Sequence, residues 1–115
     1  MSLAVPRVRD PFDRPAAPRA SSVQRVLSVV EVIPRGQVMS YGDIAALLDL
    51  GPREVARVMA NQGDEVAWWR VLRSDGTCAP HLAPRQLELL RAEGVAMKSR
   101  ERVDMAAARA DRAAL

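Results

Sequence analysis

At 115 residues the chain is long enough for one domain with a modest core, and its sixteen arginines and single lysine against fourteen acidic residues leave it at +3 with a pI near 10. One cysteine, Cys78, excludes an intramolecular disulfide and a cysteine-based metal site, and one histidine, His81, excludes most zinc arrangements. No apolar run approaches a membrane span and the N-terminus has no apolar signal-peptide core. The expectation is therefore a cytoplasmic protein with no cofactor, no metal and no membrane partner.

The charge is unevenly placed. From Ser22 to Gly94 eight arginines meet nine acidic residues, so the centre is about neutral and the basic excess lies at the two ends. Any nucleic-acid site in the centre must come from a local cluster rather than a global field.

Residues 1–20 interleave Pro6, Pro11, Pro15 and Pro18 with Arg7, Arg9, Arg14 and Arg19. Proline at this density blocks helix and sheet, so a flexible arm is expected, either an inert tail or a basic strand lying along phosphates. Ser21 or Ser22 can cap a first helix, along which Val23, Val26, Leu27, Val30 and Ile33 recur at helical spacing until Pro34 stops it. Gln37-Val38-Met39 is short and extended. Ser40 starts a second helix with Asp43 in capping-box position, an apolar face of Ile44, Ala45, Leu47 and Leu48, and Gly51 as its end. Pro52 suits the first turn of a third helix with a stripe of Val55, Val58 and Met59. The tight turn between these two helices is that of a helix-turn-helix.

On the third helix Arg53, Arg57 and Ala60 lie opposite the apolar stripe, with Ala56 flanking them. Small residues let a helix enter a groove, and arginines meet phosphates or base edges. A solvated charged face would look the same. Residues 61–65 read as a polar loop, Val66 to Arg73 as a strand, and Ser74-Asp75-Gly76 as a turn. The strand carries both tryptophans, Trp68 and Trp69, of which one should face the core. Pro84 opens a fourth helix with Leu87, Leu89, Leu90 and Ala92 inside and Gly94 as its cap. Val103 and Met105 suggest a short strand, and residues 106–115 a tail or frayed helix.

In order along the chain, Ile33-Pro34-Arg35-Gly36-Gln37-Val38, Ser40-Tyr41-Gly42-Asp43-Ile44-Ala45, Val55-Ala56-Arg57-Val58, Trp69-Arg70-Val71, Ser74-Asp75-Gly76, Leu89-Leu90 and Glu93-Gly94-Val95 resemble the DNA-binding domain of the O6-alkylguanine-DNA alkyltransferases. The resemblance spans roughly residues 22 to 105. Where that family has Pro-Cys-His-Arg-Val, this chain has Ala67-Trp68-Trp69-Arg70-Val71. Tryptophan in the cysteine position marks the alkyltransferase-like proteins, which bind O6-alkylguanine in DNA, transfer no alkyl group and pass the lesion to nucleotide excision repair.

The resemblance implies a mainly α fold: a winged-helix or helix-turn-helix-like DNA-binding domain with a short β element over residues 21–105. It implies a partner, double-stranded DNA containing O6-alkylguanine, with nucleotide excision repair proteins beyond it. It implies a monomer, nucleoid-associated when bound, and no catalytic residue. Tyr41 would press on the phosphate beside the lesion, Arg57 would enter the stack in place of the flipped base, and Arg53, Arg57 and Ala60 would sit on a helix in the minor groove. Tyr41, Trp68, Trp69, Arg70 and His81 would form or support the lesion pocket. The chain departs from the pattern at Ala67 for proline, at Trp69 for histidine, and in a loop before them that is a few residues short. Two other readings stay open: a general DNA-binding or regulatory module on the same fold, and a residual alkyltransferase using Cys78.

Overall fold

The computed structural model describes residues 16–111, with side chains from Ser22 onward. Five α-helices and four short strands follow one another as α1 (Ala16–Val32), β1 (Met39–Ser40), α2 (Tyr41–Leu48), α3 (Pro52–Gln62), β2 (Val71–Leu72), α4 (Ala83–Ala92), β3 (Met97–Ser99), β4 (Arg102–Val103) and α5 (Met105–Ala108). The mainly helical expectation holds. The first fifteen residues of the expected arm and residues 112–115 of the expected tail lie outside the described residues. The first helix is already running at Ser21 and Ser22, so neither caps it.

The centre of the fold is a two-residue parallel ladder, Met39 beside Val71 and Ser40 beside Leu72. Successive residues of an extended chain point to opposite sides, and the two sides here are two cores. Met39 and Val71 join Val26, Val30, Ile33, Ile44 and Val55 in a core between α1, α2 and α3. Val38 and Leu72 join Leu87, Leu90, Val95 and Val103 in a second core under α4 and the β3–β4 hairpin.

The helix-turn-helix is set by its caps. The Asp43 backbone N–H donates to the Ser40 hydroxyl at 2.9 Å and the Ser40 N–H donates to the Asp43 carboxylate at 3.0 Å, which completes the capping box. The second helix does not end on Gly51. Asp49 takes the left-handed conformation at φ 58°, a position aspartate tolerates, and Gly51 instead caps α3 with Pro52 in its first turn. Arg25 on α1 donates to the Leu48 carbonyl at 2.7 Å, satisfying one of the open carbonyls at that end.

The region after α3 departs most from its sequence pattern. In place of a polar loop, α3 runs on to Gln62 and a 3₁₀ turn follows at Gly63–Glu65. In place of a strand from Val66, a second 3₁₀ turn holds Trp68–Arg70, and only Val71–Leu72 are extended. A strand would send residues 69 and 70 to opposite faces. The 3₁₀ turn, with three residues per turn, lets both reach one acceptor, Glu93.

At the end of α4 the Val95 N–H donates to the Leu90 carbonyl and the Gly94 N–H to the Arg91 carbonyl, a Schellman closure in which Gly94 has φ 75°. Within α4, Ala92 is exposed rather than inside, and Gln86 is buried in its stead. Val103 lies on a strand but Met105 opens α5. The segment expected as a tail packs instead: Arg109 bridges beside Val38, Ala108 and Ala110 are buried, and Arg109 pairs with Asp43 at 3.0 Å.

Replacing Ser40 by Ala removes the cap acceptor at a 1% exposed position, with an expected cost of about 1 kcal/mol in chemical denaturation. Asp43→Ala should cost more, because it takes both the reciprocal cap bond and the pair with Arg109.

Candidate nucleic-acid interface

The third helix buries Val55 and Val58 and turns Arg53, Ala56, Arg57 and Ala60 outward. Neither arginine makes an ion pair or a hydrogen bond among the described residues, so both guanidinium groups are free for an anionic partner. Arg57 also borders a small hollow of about 100 Å³ with Glu54, Asn61 and Gln62.

Beside this face opens a cavity of about 500 Å³, within the range of ligand sites. Its wall is built from four parts of the chain: Tyr41 from the start of α2; Ala56, Met59 and Ala60 from α3; Gly63, Asp64 and Trp68 from the 3₁₀ turns; and Ala79, His81 and Leu82 from the loop before α4. The structure therefore brings together Tyr41, Ala60, Trp68 and His81, which lie far apart in sequence.

Trp69 and Arg70 are not among the residues lining this cavity. They stand behind its wall, because Glu93 draws them the other way. The Trp69 indole N–H donates to Glu93 at 2.8 Å, and Arg70 donates to both carboxylate oxygens through Nε and Nη2. Arg70 also donates to the Ile33 carbonyl at 2.9 Å, and its guanidinium lies 5.7 Å from the Trp69 ring centroid, within cation–π range. Trp68 and Trp69 meet edge to face, with centroids 6.0 Å apart and planes at 84°. Trp69 thus fixes the Trp68 ring from behind.

Glu93 also accepts the Gly36 N–H at 3.1 Å. That N–H can face it because Gly36 sits at φ 87°, and a Cβ there would come within 3.3 Å of the Glu93 carbonyl. Gln86 donates to the carbonyls of Trp69 at 3.1 Å and Val71 at 2.9 Å, pinning the end of the same turn. Glu93 and Gln86 are the two supports that sequence reading passes over. Glu93 stands in a recognisable motif without a visible role, and Gln86 is a polar residue at a helical position that burial claims.

Burial alone would raise the Glu93 carboxyl, whose side chain is 4% exposed, but the bonds from Arg70, Gly36 and Trp69 outweigh it and hold it at about 2. Burial is likewise the main influence on the Tyr41 hydroxyl and the Cys78 thiol. It pushes both up, against a smaller opposing effect of Arg73. A raised thiol is the opposite of the lowered one that a cysteine nucleophile needs. Cys78 lies on a different hollow, of about 480 Å³, with Lys98 and Arg102.

A family model described as the DNA-binding domain of 6-O-methylguanine DNA methyltransferase matches residues 21–95. The chain belongs to this family. It is 36% identical over 89 residues to the DNA base-flipping protein of Escherichia coli strain K12, covering 71% of this chain and 68% of that protein. It is 34% identical over 79 residues to the methylated-DNA–protein-cysteine methyltransferase of Methanothermobacter thermautotrophicus, covering 65% of this chain and 45% of the enzyme. The fold is similar to that of S. pombe Atl1 crystallised with damaged DNA containing O6-carboxymethylguanine, at a TM-score of 0.69 and 26% identity over 80% of this chain and 96% of that one. The S. pombe ATL protein crystallised with DNA matches equally well.

The Glu93 carboxyl is lowered on folding from its ordinary 4.5 to about 2, so its contribution is present above pH 4.5 and is lost as pH falls through about 2. The difference corresponds to roughly 3 kcal/mol. Denaturation curves should show stability falling across that window, and Glu93→Gln should be less stable at neutral pH with the acid-dependent loss flattened. Parallel pH profiles for the two proteins would contradict this assignment.

Proposed function

We propose that the chain is a non-enzymatic reader of alkylated guanine in duplex DNA, which turns the damaged nucleotide into the cavity beside α3. The observation that carries this reading is the union of Tyr41 and Trp68 in one cavity next to the exposed Arg53–Arg57 face. The base-flipping name of the Escherichia coli relative and the damaged-DNA complex of Atl1 support it.

In this reading α3 enters the minor groove with its small, basic face. Ala56 and Ala60 permit close approach, and Arg53 meets phosphate. Arg57 fills the gap left in the stack. Flipping a nucleotide costs a few kcal/mol, less for a damaged base. Stacking on an aromatic ring returns about 1–3 kcal/mol per base, which is the part assigned to Trp68. Tyr41, held at the first turn of α2 by its capping box, steers the backbone as the nucleotide rotates.

No alkyl transfer is proposed. Trp68 stands in the slot that the family resemblance gives to a nucleophilic cysteine, and an indole offers no thiolate. The lone Cys78 lies on a separate hollow with its thiol pushed up. A protein that holds a lesion without removing it leaves the chemistry to other machinery, and nucleotide excision repair proteins are the proposed recipients.

Fluorescence anisotropy at fixed salt should show tighter binding to a duplex with O6-methylguanine than to the same duplex unmodified. Equal affinity would favour a general DNA-binding module instead. Arg57→Ala should then abolish the lesion preference, whereas in a general binder it would only lower the salt dependence by about one phosphate contact.

A further inference from the structure

We infer that the hollow between the β3–β4 hairpin and α4 is a second DNA contact, a saddle for the sugar–phosphate backbone beyond the stretch met by α3. The inference rests on the base-flipping reading and extends its DNA footprint.

The hairpin carries a bulge at Lys98. Met97 stands beside Val103 and Ser99 beside Arg102, so two steps along β3 match one along β4. In a regular strand Lys98 would point away from the side shared by its two neighbours. The extra residue breaks that alternation. Met97 packs on the second core, while Lys98 and Ser99 both line the hollow. Bulges re-aim side chains in this way. Arg102, across the ladder, lines the same hollow.

The hairpin is held in place at its base, its side and its tip. The Asp104 N–H donates to the Ala96 carbonyl at 2.9 Å, the Val103 N–H donates to the Gly76 carbonyl at 2.9 Å, and Arg91 of α4 donates to the Arg100 carbonyl. Gly76 has no room for a Cβ, which would overlap the Val103 carbonyl, so β4 and the turn from Arg73 to Thr77 are in direct contact. Arg73 opens that turn. Its charge is felt at the Tyr41 hydroxyl and, together with that of Arg102, at the Asp75 carboxylate. A line of cations thus leads from Tyr41 through Arg73 and Arg102 to Lys98. Two acids lie along it. Asp75 already accepts the Thr77 hydroxyl at 2.7 Å, and Glu101 at the tip is offset by its neighbour Arg100.

The floor of the hollow is apolar, with Pro80, Ala83 and Leu87, and its rim is cationic. A nucleic-acid backbone has the matching character: deoxyribose carbons for the floor, phosphate oxygens for lysine, arginine and hydroxyl donors. An acidic protein segment would suit the cations too, but the position favours DNA. The loop before α4 gives Ala79, His81 and Leu82 to the lesion cavity and Thr77, Cys78 and Pro80 to the hollow. A strand with one nucleotide turned into the first is therefore carried past the second. Such a contact reads no sequence and no lesion; it adds affinity and fixes the register of the duplex.

The test measures binding of the full chain, across a salt series, to one duplex with O6-methylguanine and to the same duplex unmodified. Lys98→Gln and Arg102→Gln, singly and together, are compared with the wild type. Both side chains are exposed, so thermal melts should not move. Arg85→Gln is the control: it makes the same charge change at an exposed position of α4 that does not line the hollow. Each hollow substitution should flatten the dependence of log K on log salt by about 0.9, and the pair by about twice that, on both duplexes. The preference for the damaged duplex should be unchanged. Phosphates are also neutralised one at a time as methylphosphonates. One of them, outside those that Arg53→Gln makes indifferent, should weaken the wild type but not the double variant. Unchanged slopes with lesion preference intact overturn the inference, leave the base-flipping reading standing and point to an acidic protein segment for the hollow. Equal flattening by Arg85→Gln assigns the effect to net charge and overturns the inference as well, as does the lack of any such phosphate. A wild type without lesion preference, whose slope still falls in the double variant, keeps the hairpin contact and overturns the reading of the chain as a damage reader.

Discussion

The Arg70–Glu93 ion pair is the interaction on which the site depends. Glu93 collects donors from three separate places: the turn at Gly36, the Trp69 indole and the Arg70 guanidinium. Arg70 reaches on to the Ile33 carbonyl at the end of the first helix segment. One carboxylate thus ties the turn after α1, the 3₁₀ turn of the tryptophans and the last turn of α4. A buried pair of this kind is poor evidence for net stability, because desolvating both ions offsets much of their attraction. Its value is geometric. With Trp69 and Arg70 committed to Glu93, Trp68 is the member of the turn left to face the cavity. Losing either ion would release all three residues together.

The second constraint is the capped helix-turn-helix, which places Tyr41 and the face of α3 on the same side. Its boundaries are set by satisfied backbone groups: the Ser40–Asp43 box, the left-handed Asp49, and Pro52 in the first turn of α3. The far end of the chain returns to the same point, since Arg109 pairs with Asp43 and the Val38 carbonyl accepts the Ala110 N–H. The cavity is therefore assembled from distant parts held by the hydrogen bonds of the Ser40–Asp43 box and of Glu93 and by the packing of Val55 and Val58 under α3.

Much of this was legible in the residues. The helical spacing of Val26, Val30 and Ile33, the capping box at Ser40, Pro52 at the start of α3 and Gly94 at the end of α4 are local signals, and the structure keeps all of them. The outward face of Arg53, Arg57 and Ala60 followed from a helical wheel. The segment around the tryptophans did not read correctly. Val66 to Arg73 is rich in strand-forming side chains, and nothing local reveals that a carboxylate more than twenty residues away will pull two consecutive side chains to one side. The buried Gln86 and the packed Ala108 and Ala110 were hidden for the same reason: their partners, the carbonyls of Trp69 and Val71 and the edge of Val38, exist only in the folded chain. Asp64 looked like one more polar loop residue until the 3₁₀ turn put it in the cavity wall.

The central claim is that Trp68 is the surface on which a flipped base stacks. The tryptophan emission of a Trp69→Phe variant, in which Trp68 is the sole tryptophan, tests it most directly. A duplex carrying O6-methylguanine should quench that emission on binding, because the base comes into contact with the indole, while an unmodified duplex bound to the same extent should leave it nearly unchanged. Saturating binding of the damaged duplex with no change in Trp68 emission would contradict the account.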